Sequence, residues 1–465
     1  MISKNDELVG VVTAMGAGGE GIIKENGIVI FVPFSFLGEK IKYRVLKVKK
    51  NYAFAKIIEV LTPAEERVNP KCPLFKRCGG CQLQHVKYSV QLKMKSQTVQ
   101  DCFHKIAGID VSVPITARST KEYGYRNKLQ LPVADVNGET VIGFFAEKTH
   151  RVINTPDCPI TEWAKDIIDI FNEYVKVCNV KGYNEEQGTG ELRHIVVRGQ
   201  DNNFIVTAVT NSHILRDAGY LIALLKKKFD NVTLFHNIND KKTNVIFGDE
   251  FKLIYGEPRY FSEMQKIRYE YGVTNFLQVN RDVSEKIYRK AVELASPDGE
   301  STVIDAYSGA GLMTAMLASS AEKAIGIEII PEAIECANKL AKINGLENKM
   351  ENICGKCEEV LPELISNLKS DGKKITIVLD PPRKGCEYEV VEAVKNSNAE
   401  KIIYISCNPA TLARDVGLIV GTLEKKDGEI VKAENPTNLY EITFIKPYDM
   451  FPQTKHVETL VCLVK

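Results

Sequence analysis

The sequence predicts a multidomain α/β protein: a small N-terminal β-barrel, a central α+β domain and a doubly wound C-terminal domain. Its 465 residues suffice for about three domains of about 150 residues each. Short apolar stretches broken by glycine fill residues 1–60, as in a small barrel. From residue 266 onward, helical and strand patterns alternate, as a parallel sheet requires. We therefore expect domains at 1–60, 61–265 and 266–465.

The bulk composition is that of an ordinary globular protein, with 44% hydrophobic and 26% charged residues. A net charge of +1 gives no overall argument for nucleic-acid binding, so any basic surface has to be local. The sequence shows neither a signal-peptide pattern nor a run of about 18 uncharged apolar residues, and we expect a cytoplasmic protein without membrane contact. Its twelve cysteines should then stay reduced, so clusters among them indicate metal binding or catalysis.

Basic and apolar residues alternate in two stretches of the predicted barrel, Lys42–Val45 and Lys47–Lys49. Period-two alternation places the basic side chains of each stretch on one face of a strand. Leu46 shifts the phase between the stretches by one residue, so they share a face only if a bulge or bend absorbs it. A small barrel with a basic face suits single-stranded or looped RNA. A plain β-module with a solvated face is an equally good interpretation at this point.

A cluster of cysteines opens the central block. Cys72, Cys78 and Cys81 are separated by five and two residues, in a loop that contains two glycines. Cys158 is the best candidate for a fourth ligand, because a proline follows it as one follows Cys72. Four thiolates suit either zinc or a [4Fe-4S] cluster. Zinc usually takes two short Cys-x2-Cys pairs, so three near ligands and one distant ligand favour the cluster, with zinc as the alternative.

The first predicted strand of the C-terminal domain runs into a glycine-rich turn, Gly309-Ala310-Gly311. Glycines there let a ligand approach the backbone closely. A dinucleotide-binding turn has a third glycine where this chain has Thr314. Asp305, just before the turn, suits a cationic or amino-acid group, and Glu328 at the end of the next strand can accept both ribose hydroxyls. This set favours S-adenosylmethionine over NAD. A doubly wound sheet without a cofactor is the alternative.

Further strand ends carry reactive side chains. Strands of the sheet are predicted at 302–306, 323–327, 375–379 and 401–406, and an antiparallel pair at 438–444 and 457–464 completes it. Asp380-Pro381-Pro382-Arg383 follows the third strand, and Cys407, in Ser406-Cys407-Asn408-Pro409, follows the fourth. Glu458 lies in the last strand. A thiol and a carboxylate on such strands indicate covalent catalysis with a separate proton acceptor, whereas the alternative is a buried structural cysteine.

With these motifs in place, the chain resembles the RNA uracil-C5 methyltransferases, in particular the bacterial enzymes of 23S ribosomal RNA. The resemblance covers essentially the whole chain. It implies an N-terminal TRAM barrel, a central domain with a [4Fe-4S] cluster at the four cysteines, and a Rossmann-like C-terminal domain that binds S-adenosylmethionine. The segment Phe276–Asn280 resembles the family's Phe-x-Gln-x-Asn motif. The implied cofactor contacts are Gln278, Tyr307, Glu328 and Asp380. The implied catalytic residues are Cys407 as nucleophile and Glu458 as proton acceptor.

The implied chemistry explains why a thiol and a carboxylate are needed. Uracil C5 is too weak a nucleophile to take a methyl group unaided. When the Cys407 thiolate adds to C6, C5 becomes able to take the methyl group, and Glu458 then removes the C5 proton before the thiol is eliminated. We expect the pKa of Cys407 to be lowered, because the thiolate is the nucleophile. We expect desolvation to raise the pKa of Glu458 toward neutrality.

The predicted function is therefore methylation of uracil C5 in a looped or single-stranded segment of 23S rRNA, by a protein that we expect to be a monomer. Arg126 and Lys128 are candidate phosphate contacts. Methylation of the T-loop uridine of tRNA is the nearest alternative, although the bacterial tRNA enzymes generally lack the barrel and the cysteine cluster. A non-catalytic RNA-binding protein with a relict methyltransferase fold is a second alternative. A radical mechanism is a third, but such enzymes typically use a Cys-x3-Cys-x2-Cys spacing.

Overall fold

The fold is described from a computed structural model for residues 2–275 and 277–465. Phe276, the first residue of the Phe-x-Gln-x-Asn motif, lies outside the described residues. The chain divides into two compact units. Unit 1 comprises the chain up to Gln91, Lys121–Glu257 and Phe451–Lys455, and unit 2 comprises Leu92–Thr120, Pro258–Met450 and His456–Lys465.

A six-stranded sheet forms the N-terminal part of unit 1. Its strands are β1 (Glu7–Val11), β2 (Ala14–Met15), β3 (Gly21–Glu25), β4 (Ile28–Val32), β5 (Lys40–Val48) and β6 (Tyr52–Thr62), in the order β1-β5-β6-β4-β3-β2. One face packs on a small apolar core that includes Ile30, Tyr43 and Ala53. The pairing of β5 with β6 shifts register between Val45 and Lys47, so a bulge absorbs the extra residue at this point, as the sequence required for one shared basic face.

The rest of unit 1 contains a mixed seven-stranded sheet. The chain first forms α1 (Tyr88–Cys102) and a π-helical turn (Phe103–Ala107), which lie mostly in unit 2. The elements of unit 1 that follow are β7 (Lys128–Val136), β8 (Glu139–Phe145), β9 (Val152–Asn154), α2 (Ala164–Val177), β10 (Leu192–Gln200), β11 (Asn203–Thr210), α3 (Ala218–Lys228), β12 (Asn231–Ile238) and β13 (Glu250–Tyr255). The strand order is β13-β12-β11-β10-β7-β8-β9, and only the β11–β12 pair is parallel. Apolar residues of α2 and α3 cover this sheet, which buries the unit's main core.

Unit 2 is a doubly wound α/β structure preceded by a hairpin. Its elements are β14 (Tyr260–Met264), β15 (Ile267–Tyr271), α4 (Arg281–Ala295), β16 (Ser301–Ala306), α5 (Leu312–Ala318), β17 (Lys323–Glu328), α6 (Pro331–Ile343), β18 (Met350–Cys354), α7 (Cys357–Ser370), β19 (Lys374–Leu379), α8 (Tyr388–Lys395), β20 (Lys401–Ser406), α9 (Pro409–Val420), β21 (Leu423–Lys426), β22 (Glu429–Lys432), β23 (Glu441–Tyr448) and β24 (Glu458–Val464). The main sheet has the order β18-β17-β16-β19-β20-β24-β23.

The predicted alternation of strands and helices is confirmed in unit 2. β16, β17, β19 and β20 lie within one residue of the four predicted strands and run parallel, and β23 and β24 form the predicted antiparallel pair. β18 was not predicted. The strand order reverses between β16 and β19, and ligands of open α/β sheets bind at the carboxyl ends of the strands beside such a point. No helix in the described part of the chain is long and apolar enough to cross a bilayer.

The borders of the two units differ from the predicted domain borders in three places, and one of them is Phe451–Lys455, which belongs to unit 1. Residues 92–120 belong to unit 2, although the sequence pattern placed them in the central block. The physical reason is burial: Val99, Phe103 and Ala107 pack into the apolar core of unit 2. The hairpin β14–β15 also belongs to unit 2, because the longest segment of that unit begins at Pro258 and not at residue 266.

Candidate functional site

The predicted catalytic and cofactor residues meet at one edge of the unit 2 sheet. Tyr307, Asp380 and Cys407 directly follow the parallel strands β16, β19 and β20, and Glu328 ends β17. β24 runs antiparallel to β20, with Thr459 opposite Ser406. The first residue of β24, Glu458, therefore lies at the edge where β20 ends, next to Cys407. Antiparallel pairing thus brings together two side chains that are 51 positions apart in the chain.

The turn after β16 has the backbone of a ligand-binding loop. Tyr307 has a φ of +67°, in the left-handed region that a bulky side chain adopts only at an energetic cost. Gly309 has a φ of +55° and open space where a side chain would begin. Gly311 is different, because a Cβ there would lie 2.6 Å from the Met350 side chain and 2.7 Å from that of Ala337. One glycine thus leaves room for a ligand, while the other permits close packing.

The Glu328 carboxylate shapes this turn. Gly309 N–H donates to one of its oxygens and Ile330 N–H to the other, each at 3.0 Å. Each oxygen keeps a further lone pair, so the carboxylate can still accept hydroxyl groups. Beside it, the buried Ser308 Oγ has no hydrogen-bond partner among the described residues. The open space at Gly309 and this unsatisfied hydroxyl fit a polar ligand such as the ribose and amino-acid groups of S-adenosylmethionine.

Three enclosed carboxyl groups lie near the strand ends. Burial raises the pKa of Asp305 to about 7, and Thr314 Oγ1 opposes the shift by donating a 2.5 Å hydrogen bond. Burial, reinforced by Asp305, raises the pKa of Asp380 to about 7. Burial and then Asp380 raise that of Glu458 well above its usual value, as the sequence predicted. A cationic ligand stabilises the ionised forms of such acids, because opposite charges attract strongly where water is excluded.

The Cys407 thiol does not have the lowered pKa that the sequence analysis predicted. Burial, followed by the charge of Glu458, raises its pKa to about 11, although Arg383 opposes the shift. The lowered pKa was expected because the reaction needs a thiolate, and that expectation took no account of burial. A thiolate at this position is desolvated beside an acidic group, and one cation does not offset this. A thiol with a pKa of about 11 is mostly protonated at pH 7, with a thiolate fraction of about one in 10,000.

This pKa predicts how the thiol reacts with iodoacetamide. We expect alkylation of Cys407 to accelerate about tenfold per pH unit from pH 7 to pH 10, because only the thiolate reacts and its fraction rises at that rate below the pKa. Peptide mapping by mass spectrometry separates Cys407 from the other eleven cysteines. Arg383→Gln should slow alkylation at every pH, since it removes the cation that favours the thiolate. A rate that levels off below pH 8 contradicts the raised pKa.

Hydrogen bonds hold the loop after Asp380 against α9. Asn408 Nδ2 donates to the carbonyl of Arg383 at 3.0 Å, and Arg414 Nη2 donates to that of Cys386 at 3.2 Å. The carboxylate of Asp415 accepts the Cys386 N–H at 2.9 Å. The loop that carries Arg383 is thus tied to the helix that begins after Cys407, which fixes the guanidinium relative to the thiol. The prolines predicted a stiff loop, but these anchors could not be inferred from spacing.

Tyr288 is a site residue that the sequence reasoning missed. It lies on α4, and a hydrogen bond joins its phenol to the side chain of Gln278. Burial raises its pKa, and the charges of Asp380, Asp305 and Glu458 add to the shift, which places the phenol among all three acids. A tyrosine on the inner face of an amphipathic helix normally reads as a core residue, so no pattern in the sequence singled it out.

The segment that carries Gln278 is anchored at the start of α4. Asn280 caps this helix, its side chain accepting the Val283 N–H at 3.5 Å. Its amide also donates to Ser119 Oγ at 3.0 Å and to the Met450 carbonyl at 3.3 Å. The asparagine of the Phe-x-Gln-x-Asn motif therefore positions the glutamine that precedes it by two residues.

The four predicted metal ligands meet in unit 1. Cys72, Cys78, Cys81 and Cys158 line one cavity of about 260 Å³. Burial raises the pKa of each thiol, to about 11 for Cys81 and about 12 for Cys158, and the other thiols add to the shift at Cys78, Cys81 and Cys158. Within residues 2–275 and 277–465, no group of three or more His, Cys, Asp or Glu side chains is placed to hold a metal ion.

Two cationic residues line the same cavity. Arg126 and Lys128, which the sequence analysis offered as phosphate contacts, both lie on its wall. Arg126 lowers the pKa of Cys81, opposing the effect of burial, and burial lowers the pKa of Lys128. The half-buried cations are therefore placed to offset negative charge on the cysteines, which is a different position from an open RNA-facing surface.

Known proteins resemble this chain over its whole length. The family model for tRNA (uracil-5-)-methyltransferase matches residues 240–465. An uncharacterized RNA methyltransferase of Clostridium tetani is 38% identical over 470 residues, covering 99% of this chain and 97% of that protein. One of Bacillus cereus (strain ATCC 10987) is 35% identical over 469 residues, covering 99% and 97%. The crystal structure of Pyrococcus abyssi tRNA (uracil-54, C5)-methyltransferase with S-adenosyl-L-homocysteine has a TM-score of 0.75 and 26% identity, covering 98% of this chain and 100% of that one.

Fold, site and relatives together define an S-adenosylmethionine-dependent RNA methyltransferase. Within that class, the chain belongs to the family of RNA uracil-C5 methyltransferases.

Proposed function

We propose that the enzyme methylates C5 of a uridine in a looped or single-stranded segment of 23S rRNA, through a covalent bond between Cys407 and C6. The observation that carries the mechanism is the meeting of Cys407 and Glu458 at one sheet edge, where Ser406 pairs with Thr459. A nucleophile and a proton acceptor on separate strands can reach different atoms of one base. An unpaired base reaches such an enclosed site most easily, since no duplex has to be opened first.

The two catalytic residues divide the reaction between them. Cys407 gives its proton to solvent and its sulfur bonds to C6, which shifts the electron pair of the C5–C6 double bond toward C5. S-adenosylmethionine supplies the methyl group that C5 takes up, and S-adenosylhomocysteine leaves. Glu458, as a carboxylate, then accepts the C5 proton, the C5–C6 double bond re-forms and the C6–sulfur bond breaks. The raised pKa of Glu458 suits this step, because a carboxylate with a pKa nearer neutrality is a stronger base.

Four residues are proposed to hold the methyl donor. Glu328 accepts the ribose hydroxyls through its remaining lone pairs, and Tyr307 lines the site from its left-handed turn. Gln278 and Asp380 bind polar groups of the donor on the side where Tyr288 joins them. The fit rests on the open space at Gly309 and on the positions of the four strand ends.

We further propose that Cys72, Cys78, Cys81 and Cys158 hold a [4Fe-4S] cluster. Four sulfurs bonded to one zinc ion lie within about 4 Å of each other, whereas a cluster spreads its ligands around a larger centre. Thiols around a cavity of about 260 Å³, with two cations on its wall, suit the second arrangement. The six-stranded N-terminal sheet is then the TRAM domain, followed by the cluster domain and the methyltransferase domain. Their predicted ranges are 1–60, 61–265 and 266–465, but residues 92–120 and the β14–β15 hairpin belong to the compact unit of the methyltransferase domain.

Removal of one ligand tests the cluster. We expect anaerobically purified protein to contain about four iron atoms per chain and to absorb near 400 nm, and Cys158→Ser to lose most of both. Cys178→Ser is the matched control, since Cys178 is also half-buried in unit 1 but does not line the cavity. Zinc at one equivalent, or iron retained by Cys158→Ser, contradicts the proposal.

A tRNA substrate is the second candidate, and one observation favours it. The tRNA (uracil-54, C5)-methyltransferase of Pyrococcus abyssi aligns with 98% of this chain, including its N-terminal half. A full-length architecture of this kind therefore does not exclude tRNA, contrary to the expectation based on shorter bacterial enzymes. Mapping 5-methyluridine in a strain that lacks the gene distinguishes the two. Loss of the modification at a 23S rRNA position supports the proposal, and loss at the tRNA T-loop alone contradicts it.

A further inference from the structure

Three aromatic rings form a contiguous patch on the N-terminal sheet. The ring centroids of Phe31 and Phe54 are 5.8 Å apart, those of Tyr52 and Phe54 are 5.5 Å apart, and those of Phe31 and Tyr52 are 6.1 Å apart. Tyr52 and Phe54 are 38% and 42% exposed, although apolar rings of this size are normally buried. We refer to these three residues as the aromatic patch.

Strand pairing explains why the rings share the outer face of the sheet. β4 and β6 pair in parallel with Phe31 opposite Phe54, and the neighbours of Phe54 along β6, Ala53 and Ala55, point into the core. Side chains alternate between the two faces of a strand, so Tyr52 and Phe54 both point outward. The patch therefore lies on the face opposite the sheet's core, and rings on adjacent strands are spaced to contact one another.

Lysines surround the aromatic patch. Lys47 lies opposite Phe54 because the bulge in β5 restores it to the outer face, and Lys56 follows Phe54 by two residues on the same face. Lys24 lies two strands from Tyr52 in the same cross-strand row, with Val29 between them. All three lysines are exposed, and in the described part of the chain none of them forms an ion pair. The nearby cations of β5 differ, since Lys42 and Arg44 both pair with Glu7.

We propose that the aromatic patch is a stacking site for unpaired bases of the RNA substrate, with Lys24, Lys47 and Lys56 neutralising the adjoining phosphates. Exposed rings offer flat faces to bases of any sequence, and unpaired lysines beside them offer positive charge to phosphates. A protein partner would fit apolar rings alone, but it gives no account of the surrounding unpaired cations. This proposal rests on the proposed function, because it assumes that the substrate is RNA. The aromatic patch differs from the uridine site at Cys407, because it binds bases without modifying them.

Binding of an oligonucleotide without uridine tests the site independently of methylation. The probe is a fluorescein-labelled single-stranded oligoadenylate of about 12 nucleotides, which suits the usual site size, titrated with full-length protein. We expect Tyr52→Ala combined with Phe54→Ala to weaken binding at least about fivefold, without changing the dependence of affinity on salt. Lys47→Gln and Lys56→Gln should each reduce the magnitude of the salt slope by about 0.7, because each removes one phosphate contact.

Matched controls separate stacking from folding and from general surface effects. Phe54→Trp keeps an aromatic face and should bind oligoadenylate as tightly as the unmodified protein. Phe54→Leu keeps an apolar side chain but no ring, and it should bind more weakly. Leu61→Ala, an equally exposed apolar residue at 42% near the end of β6, should bind as the unmodified protein does. An RNA duplex of the same length should bind all the aromatic variants equally, since its bases are already stacked. Equal oligoadenylate affinity of the double variant and the unmodified protein overturns the proposal, whatever the methylation assay shows.

Discussion

Replacing Cys407 with alanine is expected to lower methyl transfer to RNA at least about 10,000-fold, because no other group can activate C5 through addition to C6. The variant should fold normally, since the side chain that caps α9 is that of Asn408 and not the thiol. The measurement is the single-turnover rate with saturating RNA and S-adenosylmethionine.

Two further variants make this result specific. Cys354→Ala removes an exposed cysteine at the end of β18 and should leave the rate unchanged. Cys407→Ser keeps a hydroxyl of similar size but no comparably acidic nucleophile, and it should be as inactive as the alanine variant. A Cys407→Ala protein that still methylates RNA at more than about a hundredth of the normal rate contradicts covalent catalysis.

Replacing Glu458 with glutamine is expected to trap the enzyme on its RNA. Methyl transfer precedes loss of the C5 proton, so the variant should form the C6–sulfur bond, methylate C5 and then stop. A denaturing gel should show a protein–RNA complex that carries label from methyl-labelled S-adenosylmethionine. The fold should tolerate the change, because glutamine has the size of glutamate and carries no charge, and burial already disfavours a charge at this position.

The double variant Cys407→Ala/Glu458→Gln is the control for this trap. It should form no complex that survives denaturation, since it lacks the sulfur that bonds to C6. A labelled complex in the double variant would assign the bond to another residue. Full turnover by Glu458→Gln would show that a different base removes the proton, and Asp380 would then be the nearest candidate, because its charge already affects both Cys407 and Glu458.

Features fixed by strand periodicity were predictable from the sequence. The parallel strands and the final antiparallel pair follow from short apolar runs bounded by turns, and carboxyl ends of parallel strands meet at one edge by geometry. The sequence accordingly predicted that Cys407 follows a strand and that Glu458 lies in the last strand, while their shared role came from the resemblance to RNA uracil-C5 methyltransferases. The bulge in β5 was likewise identified as the condition for a shared basic face, because one extra residue must be absorbed somewhere between two alternating stretches.

Features that depend on the enclosed surroundings of a side chain were not predictable. The pKa of Cys407 is raised, since burial and Glu458 outweigh Arg383, and no spacing encodes that balance. Tyr288 enters the site from a helix whose pattern indicates only an inner face. Arg126 and Lys128 read as a basic run, yet they line the cysteine cavity because of how β7 lies beside it. In each case the deciding neighbours are distant in sequence.

Transfer of a tritiated methyl group from S-adenosylmethionine to unmodified RNA tests the central claim most directly. The purified enzyme is incubated in parallel with unmodified 23S rRNA and with unmodified tRNA, and the labelled nucleoside is identified after digestion. The account predicts label in 5-methyluridine from the 23S rRNA, and none from either RNA with Cys407→Ala. Label confined to tRNA, or labelled nucleosides other than 5-methyluridine, would contradict it.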